Sequence, residues 1–156
     1  MTTAPKRAHD VVALGGGHGL AASLQALRRV TQHLTAVVGV SDDGGSSGRL
    51  REEFGIVPPG DLRMALAALC GDDTWGSTWA RVLQHRFASQ GELDGHSLGN
   101  LLITALWEET NDLVEGLDWV ARLLDAKGKV LPLCIEPLEI VATVKSRTGE
   151  VLEISG

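Results

Sequence analysis

The sequence predicts an α/β protein of three layers: a mostly parallel sheet with helices on both faces, ending in a β-hairpin. The amino-terminal third runs apolar strand, glycine turn, helix, strand, the order of a βαβ unit. A segment almost empty of apolar side chains follows the second strand, at the end of a parallel sheet where ligands bind. Beyond it, apolar stripes at helical spacing give way to strand-like runs around a Thr-Gly turn.

Val11 to Leu14 is a short apolar strand, Gly15 to Gly19 a glycine-rich turn, and Leu20 to Val30 a helix with Leu20, Leu24 and Leu27 on one face. Leu34 to Val40 is the second strand, emptying into the polar loop from Ser41 to Arg49. Pro58-Pro59-Gly60 stops one segment, and Asp61 can cap the next helix, whose Leu62, Ala65, Leu66 and Leu69 share a face. Ser77 to Phe87 reads as another helix. Leu98, Leu101, Leu102, Ala105 and Leu106 form a strong stripe, and Asp112 to Asp125 repeats the pattern. Val130 to Ile135 is a buried strand, and Glu139 to Lys145 with Glu150 to Ile154 form a hairpin. Residues 1–137 are thus one ligand-binding domain, and 138–156 begin an incomplete continuation whose unpaired edge could drive self-association.

With 156 residues, 44% of them hydrophobic, the chain can bury its own core. Fourteen basic against 20 acidic residues leave a net charge of −6 without a lysine or arginine run, which argues against a nucleic-acid groove. No apolar run approaches the ~18 residues of a membrane span, and Met1 to Asp10 has no secretory character. Cys70 and Cys134 stand apart, without zinc spacing, as buried thiols of a reducing compartment. The reading is a cytoplasmic protein without membrane insertion.

Ser41 to Arg49 holds two carboxylates, three hydroxyls, three glycines and an arginine. Such a segment offers metal ligands, backbone N–H groups and a phosphate partner together. Asp42 and Asp43 are the candidate metal ligands, for a hard cation such as Mg²⁺, although acidic pairs in turns also cap helices or face water. Gly17 to Ala22 fits G-x-G-x-x-A, in which glycines let a phosphate approach the backbone at a helix amino end. A tight turn with glycines for packing is the plain alternative. Asp42 lies roughly 20 residues on, where a ribose-binding acid is expected. The four tryptophans, Trp75, Trp79, Trp107 and Trp119, are packing residues, although Trp75 could line a base pocket.

Taken in order, GGGHGL, SDDGGSSGRLR, PPGDLR and GHSLGNLL resemble the motif set of the CofD-like superfamily, in its gluconeogenesis-factor branch of YvcK-like proteins, from Val11 to about Glu136. The resemblance implies a Rossmann-like nucleotide-binding protein of the bacterial cytoplasm, tied to cell-wall precursor supply, carbon metabolism and cell shape. Its regulatory members bind UDP-sugars such as UDP-N-acetylglucosamine. The enzyme relatives are 2-phospho-L-lactate transferases using a nucleotide-activated lactyl phosphate and a divalent metal. The block forms resemble the regulatory branch more, so binding ranks above transfer, and a hydride-transferring NAD domain ranks third.

Matched position by position, the resemblance implies that Gly15, Gly16, Gly17, His18 and Gly19 approach phosphates. Asp42, Asp43, Gly44, Gly45, Ser46 and Ser47 surround ligand or metal, and Arg49 is the anion partner. Asp61, Arg63, His96, Ser97 and Asn100 complete the floor, with capping and core hydrogen bonding as the alternative for Asp61, Ser97 and Asn100. His18 departs from the family's usual threonine, exchanging a hydroxyl for a titratable ring. Family members also continue well beyond this region, and a homo-oligomer or a regulatory protein partner is part of the same expectation.

Overall fold

The computed structural model of the chain describes residues 9–42, 44–138, 141–146, 149 and 151–155. Strands β1 (Val11–Gly15), β2 (Leu34–Val38) and β3 (Lys129–Pro132) form a parallel sheet in the order β1-β2-β3. Val11 pairs with Leu34, and Ala36 with Val130. Helix α1 (Gly17–Leu27) joins the first two strands. Helices α2 (Gly45–Phe54), α3 (Gly60–Leu69), α4 (Thr74–Gln84), α5 (Leu98–Thr110) and α6 (Leu113–Leu124) all fall between β2 and β3. The α/β class, the parallel sheet and the closing hairpin, β4 (Val141–Lys145) with β5 (Val151–Ser155), are as the sequence implies. The expected Glu139, Thr148 and Glu150 of that hairpin lie outside the described residues.

Side chains alternate across a strand, so β2 sends Leu34, Ala36 and Val38 to one face, where all three are buried. Val130 joins them from β3, and Leu62, Leu66 and Leu69 of α3 belong to the same core. Helices α1 and α6 flank α3 and add Leu24, Leu117, Val120 and Leu124. Each fully buried leucine contributes about 1.5–3 kcal/mol. The opposite sheet face is different. Val12 and Leu14 are 68% and 71% exposed and Leu133 is 55% exposed. The helices that meet the strands, α1, α3 and α6, all contribute to the core on the Leu34, Ala36 and Val38 face.

Several element boundaries differ from expectation, β3 for one ending at Pro132 with Leu133 and Ile135 exposed, and some of the differences have identifiable reasons. The first helix begins at Gly17 because Gly17, at φ 57°, turns the backbone without a side-chain penalty. Helix α2 replaces the expected loop after Gly44. Its buried face is Ser46, Ser47, Gly48 and Leu50, and such small polar residues leave no apolar period to read. Helix α4 starts three residues early because Asp73 accepts from the Gly76 amide, and it stops at Gln84, so Phe87 lies beyond it. Asp112 and Ser97 cap α6 and α5, each for about 1 kcal/mol.

Trp107 and Trp79 pack against the core as expected, whereas Trp75 and Trp119 are about half exposed. Trp107 is buried and donates to the Leu113 carbonyl, whereas Trp75 donates to the Leu123 carbonyl and meets Trp79 at 5.6 Å between rings. Trp75 thus faces α6. Trp119, 47% exposed, lies under the Arg122 guanidinium.

Candidate functional site

The carboxyl ends of β1 and β2 meet the amino ends of α1, α2, α3 and α5, so the four glycine-containing blocks converge although far apart in sequence. Ser46, in the first turn of α2, is the hub. Its hydroxyl oxygen accepts from the Ser97 amide at 3.3 Å and from Asn100 Nδ2 at 3.1 Å. A serine oxygen has two acceptor positions and one hydrogen, so that hydrogen is left for His96 Nδ1, 3.1 Å away. His96 is therefore the neutral tautomer protonated on Nε2. Burial, then the positive charge of Arg49, holds its pKa below the ordinary value. All the hydrogen-bonding positions of the Ser46 hydroxyl are thus occupied within the protein.

Asn100 extends the network, because its Oδ1 accepts from Arg63 Nε at 2.9 Å. Ser97 caps α5, as the capping alternative had it, and its backbone amide also donates to the hub. Ser47 is spent on the next block, where its Oγ accepts from the Gly60 amide at 2.8 Å. The side chains of Ser46, Ser47, His96, Ser97 and Asn100 are buried and hydrogen-bonded within the protein, and they form a wall at the strand ends.

Asp61 corrects one expectation. It does not cap its own helix: Pro59 occupies the cap of α3, and Asp61 reaches across the sheet end to accept the Gly17 amide at 2.8 Å. Its carboxylate thus sits at the amino end of α1, where partial positive charge concentrates. A Cβ on Gly16 would stand 2.5 Å from Asp61 Oδ2, so that glycine is required by Asp61. Burial raises the Asp61 pKa, opposed by the Gly17 hydrogen bond and assisted by the negative charge of Asp42. Asp42 is exposed and accepts from the Gly44 amide, and its Oδ2 would lie 2.7 Å from a Cβ on Gly60. Two carboxylates therefore face one another across the strand ends. Asp43 lies outside the described residues.

The exposed rim is glycine. Gly17 and Gly45 need positive φ, but Gly19 has neither that conformation nor any atom within 4 Å of an added Cβ. Gly15 would meet only Leu20, at ordinary contact distance. Arg49 does not point at the carboxylates, because its Nη2 donates to the Asp94 carbonyl at 2.6 Å. His18 is exposed and shares a cleft with Arg63. Arg86 was not singled out in the sequence. It donates to the Gly95 carbonyl at 2.8 Å and stands close enough to Arg63 to depress its pKa. Nothing local marks it, since the contact arises from α4 folding back beside α5.

The sequence matches, over residues 11–154, the family described as 2-phospho-L-lactate transferase CofD. The chain belongs to the CofD family. Among curated relatives, this CofD-family chain is 58% identical over 135 residues to a Mycobacterium leprae protein named "Putative gluconeogenesis factor". It is 42% identical over 135 residues to the "Gluconeogenesis factor" of Listeria monocytogenes. These alignments cover 86% of this chain but 38% and 41% of the relatives, so the chain spans about two-fifths of their length. A crystal structure of a Bacillus halodurans protein superposes with a TM-score of 0.81 at 39% identity, covering 94% of this chain and 46% of that one. A second structure from that organism, described as a UPF0052 family member, gives 0.78 at 38% identity, with 93% and 46% covered.

Proposed function

We propose that this CofD-family chain is the amino-terminal part of a cytoplasmic regulator that binds a nucleotide sugar of the UDP-N-acetylglucosamine type and links gluconeogenic carbon metabolism to cell-wall synthesis and cell shape. Gly19 carries the reading. Glycine inside a helix is worse than alanine by about 1 kcal/mol, and neither φ nor packing calls for it at this position. The remaining reason is an approach from outside, a ligand that needs bare backbone at the amino end of α1. The names of the similar proteins support the gluconeogenic assignment. Among the described residues no helix is long and apolar enough to cross a membrane.

Phosphate chemistry suits the strand ends with one condition. Asp61 already holds the Gly17 amide, so a phosphate near it requires a cation between the anions. Asp42 and Asp61 offer oxygens to Mg²⁺, which when bound neutralises phosphate charge, with waters and ligand oxygens filling its shell. No cluster of three or more His, Cys, Asp or Glu converges among the described residues, so this holding is ligand-assisted. The same carboxylates favour a second reading, metal-dependent transfer of a 2-phospho-lactyl group, in line with the family description.

Calorimetric titration of UDP-N-acetylglucosamine, with GDP as comparator and with and without Mg²⁺, tests both. Gly19→Ala should weaken UDP-sugar binding at least tenfold while raising the melting temperature. A variant that gains stability and binds as well as the parent removes the reason given for Gly19. Preference for GDP with metal, together with product formation, selects the transferase.

A further inference from the structure

Beside the strand-end site lies a cleft of about 450 Å³ bounded by α1, α3 and α4. His18, Arg63 and Arg86 gather at one end, Gln25 and Gln84 lie along its helical walls, and Met64 supplies apolar surface. Arg63 is the unusual member. It is only 5% exposed, yet among the described residues its one side-chain hydrogen bond uses Nε, leaving both terminal nitrogens without a hydrogen-bond partner there. No carboxylate forms an ion pair with Arg63 or Arg86 among the described residues.

Burying an arginine beside a second arginine is unfavourable unless an anion joins them. The nearest acids, Asp42 and Asp61, act on Arg63 only through space, without an ion-pair contact, and each already accepts a backbone amide. Burial and the neighbouring Arg86 charge outweigh the opposing charges of Asp42 and Asp61 and bring the Arg63 pKa down to about 10. The planar guanidinium presents paired donors that match two oxygens of one phosphate. The rest of the cleft, with two carboxamides and an apolar floor, suits an uncharged organic body attached to that phosphate.

We infer that this cleft is a binding site for a small phosphate monoester, held between Arg63 and Arg86, separate from the nucleotide-sugar site at the strand ends. Its position fits an effector pocket: Arg63 is tied through Asn100 to the Ser46 hub, so occupancy of the cleft and the arrangement of the strand-end wall are mechanically joined.

The test uses ³¹P line broadening of inorganic phosphate and of phenyl phosphate titrated with the chain. Phenyl phosphate should broaden at lower protein concentration than inorganic phosphate, because only it uses the apolar floor. Arg86→Gln should weaken both at least fivefold. Since Arg86 also holds the Gly95 carbonyl, a second pair of variants reads the charge alone: Gln25→Glu should weaken binding and Gln25→Lys should strengthen it. Neither Gln25 change should move the UDP-N-acetylglucosamine titration, so failure of the nucleotide reading leaves this result untouched. Absence of broadening, or broadening indifferent to the sign of charge at residue 25, would overturn the assignment. Displacement of phenyl phosphate by UDP-N-acetylglucosamine, in a Gln25-sensitive manner, would also overturn it by merging the two sites.

Discussion

Replacing Ser46 by alanine removes one oxygen and strands three partners. Asn100 Nδ2 and the Ser97 amide lose an acceptor, and His96 Nδ1 loses a donor, all inside the protein. A buried polar group left without its partner costs about 1–3 kcal/mol. Taking the lower end for each gives roughly 3 kcal/mol, and the better helix propensity of alanine returns about 0.5. The expected loss is therefore about 2.5 kcal/mol, or roughly 5–10 °C in melting temperature for a domain of this length. Urea unfolding followed by circular dichroism measures it, with Ser23→Ala as the control. Ser23 makes only an exposed bond to the Gly19 carbonyl, and its loss should be about 0.5 kcal/mol or less. A Ser46→Ala loss no larger than the control's would refute the shared-hydroxyl account. So would a nitrogen spectrum showing the His96 proton on Nδ1 in the parent.

Stability should fall as pH drops below about 6.5, where an unfolded histidine takes up a proton that buried His96 resists. The sign follows from a folded pKa held below the unfolded one, and His96→Gln should flatten that part of the pH–stability curve. At the end of α1, Asp61→Ala should lose about 1 kcal/mol by freeing the Gly17 amide. Asp61→Asn, which keeps an acceptor and removes the buried charge, should lose less, and equal losses in thermal melts would contradict the capping role. Gly99→Ala would place a methyl 2.6 Å from the Leu83 carbonyl and 2.8 Å from Arg63 Cδ. That overpacking should destabilise by about 1–3 kcal/mol in denaturant titration. Between the thiols, half-buried Cys134 should react with a disulfide reagent at neutral pH, while Cys70, buried and pushed up to about 11, should react only after unfolding.

The elements with strong apolar periods, β2, α3 and α6, were readable because each buries one apolar stripe, whereas α5 buries Gly99, Asn100, Ile103, Thr104 and Trp107 and leaves the expected stripe of Leu98, Leu101, Leu102, Ala105 and Leu106 half-buried or exposed. Helix α2 was not, since it buries serine and glycine and its stability comes from bonds to residues 60, 96, 97 and 100. The convergence of the four blocks was legible as a motif order. What each polar residue does there was not. Asp61 reads locally as a cap for the helix it begins, yet its partner lies 44 residues earlier. Arg49 reads as an anion ligand from its neighbours, but the Asp94 carbonyl claims it from a loop brought in by tertiary folding. Arg86 has no local signal, because its significance depends on Arg63 being buried nearby.

The uncovered side of the sheet has a practical consequence. Among the described residues Val12 and Leu14 lie on β1, which pairs with β2 alone, beside exposed apolar surface. Val141, Val144, Val151 and Leu152 of the hairpin add further oily surface. In solution this polypeptide should bind hydrophobic dyes while fully native and sediment as larger species at higher concentration. Dye fluorescence would then report an intact β1 surface, and using it as an unfolding signal would place the melting transition at the wrong temperature.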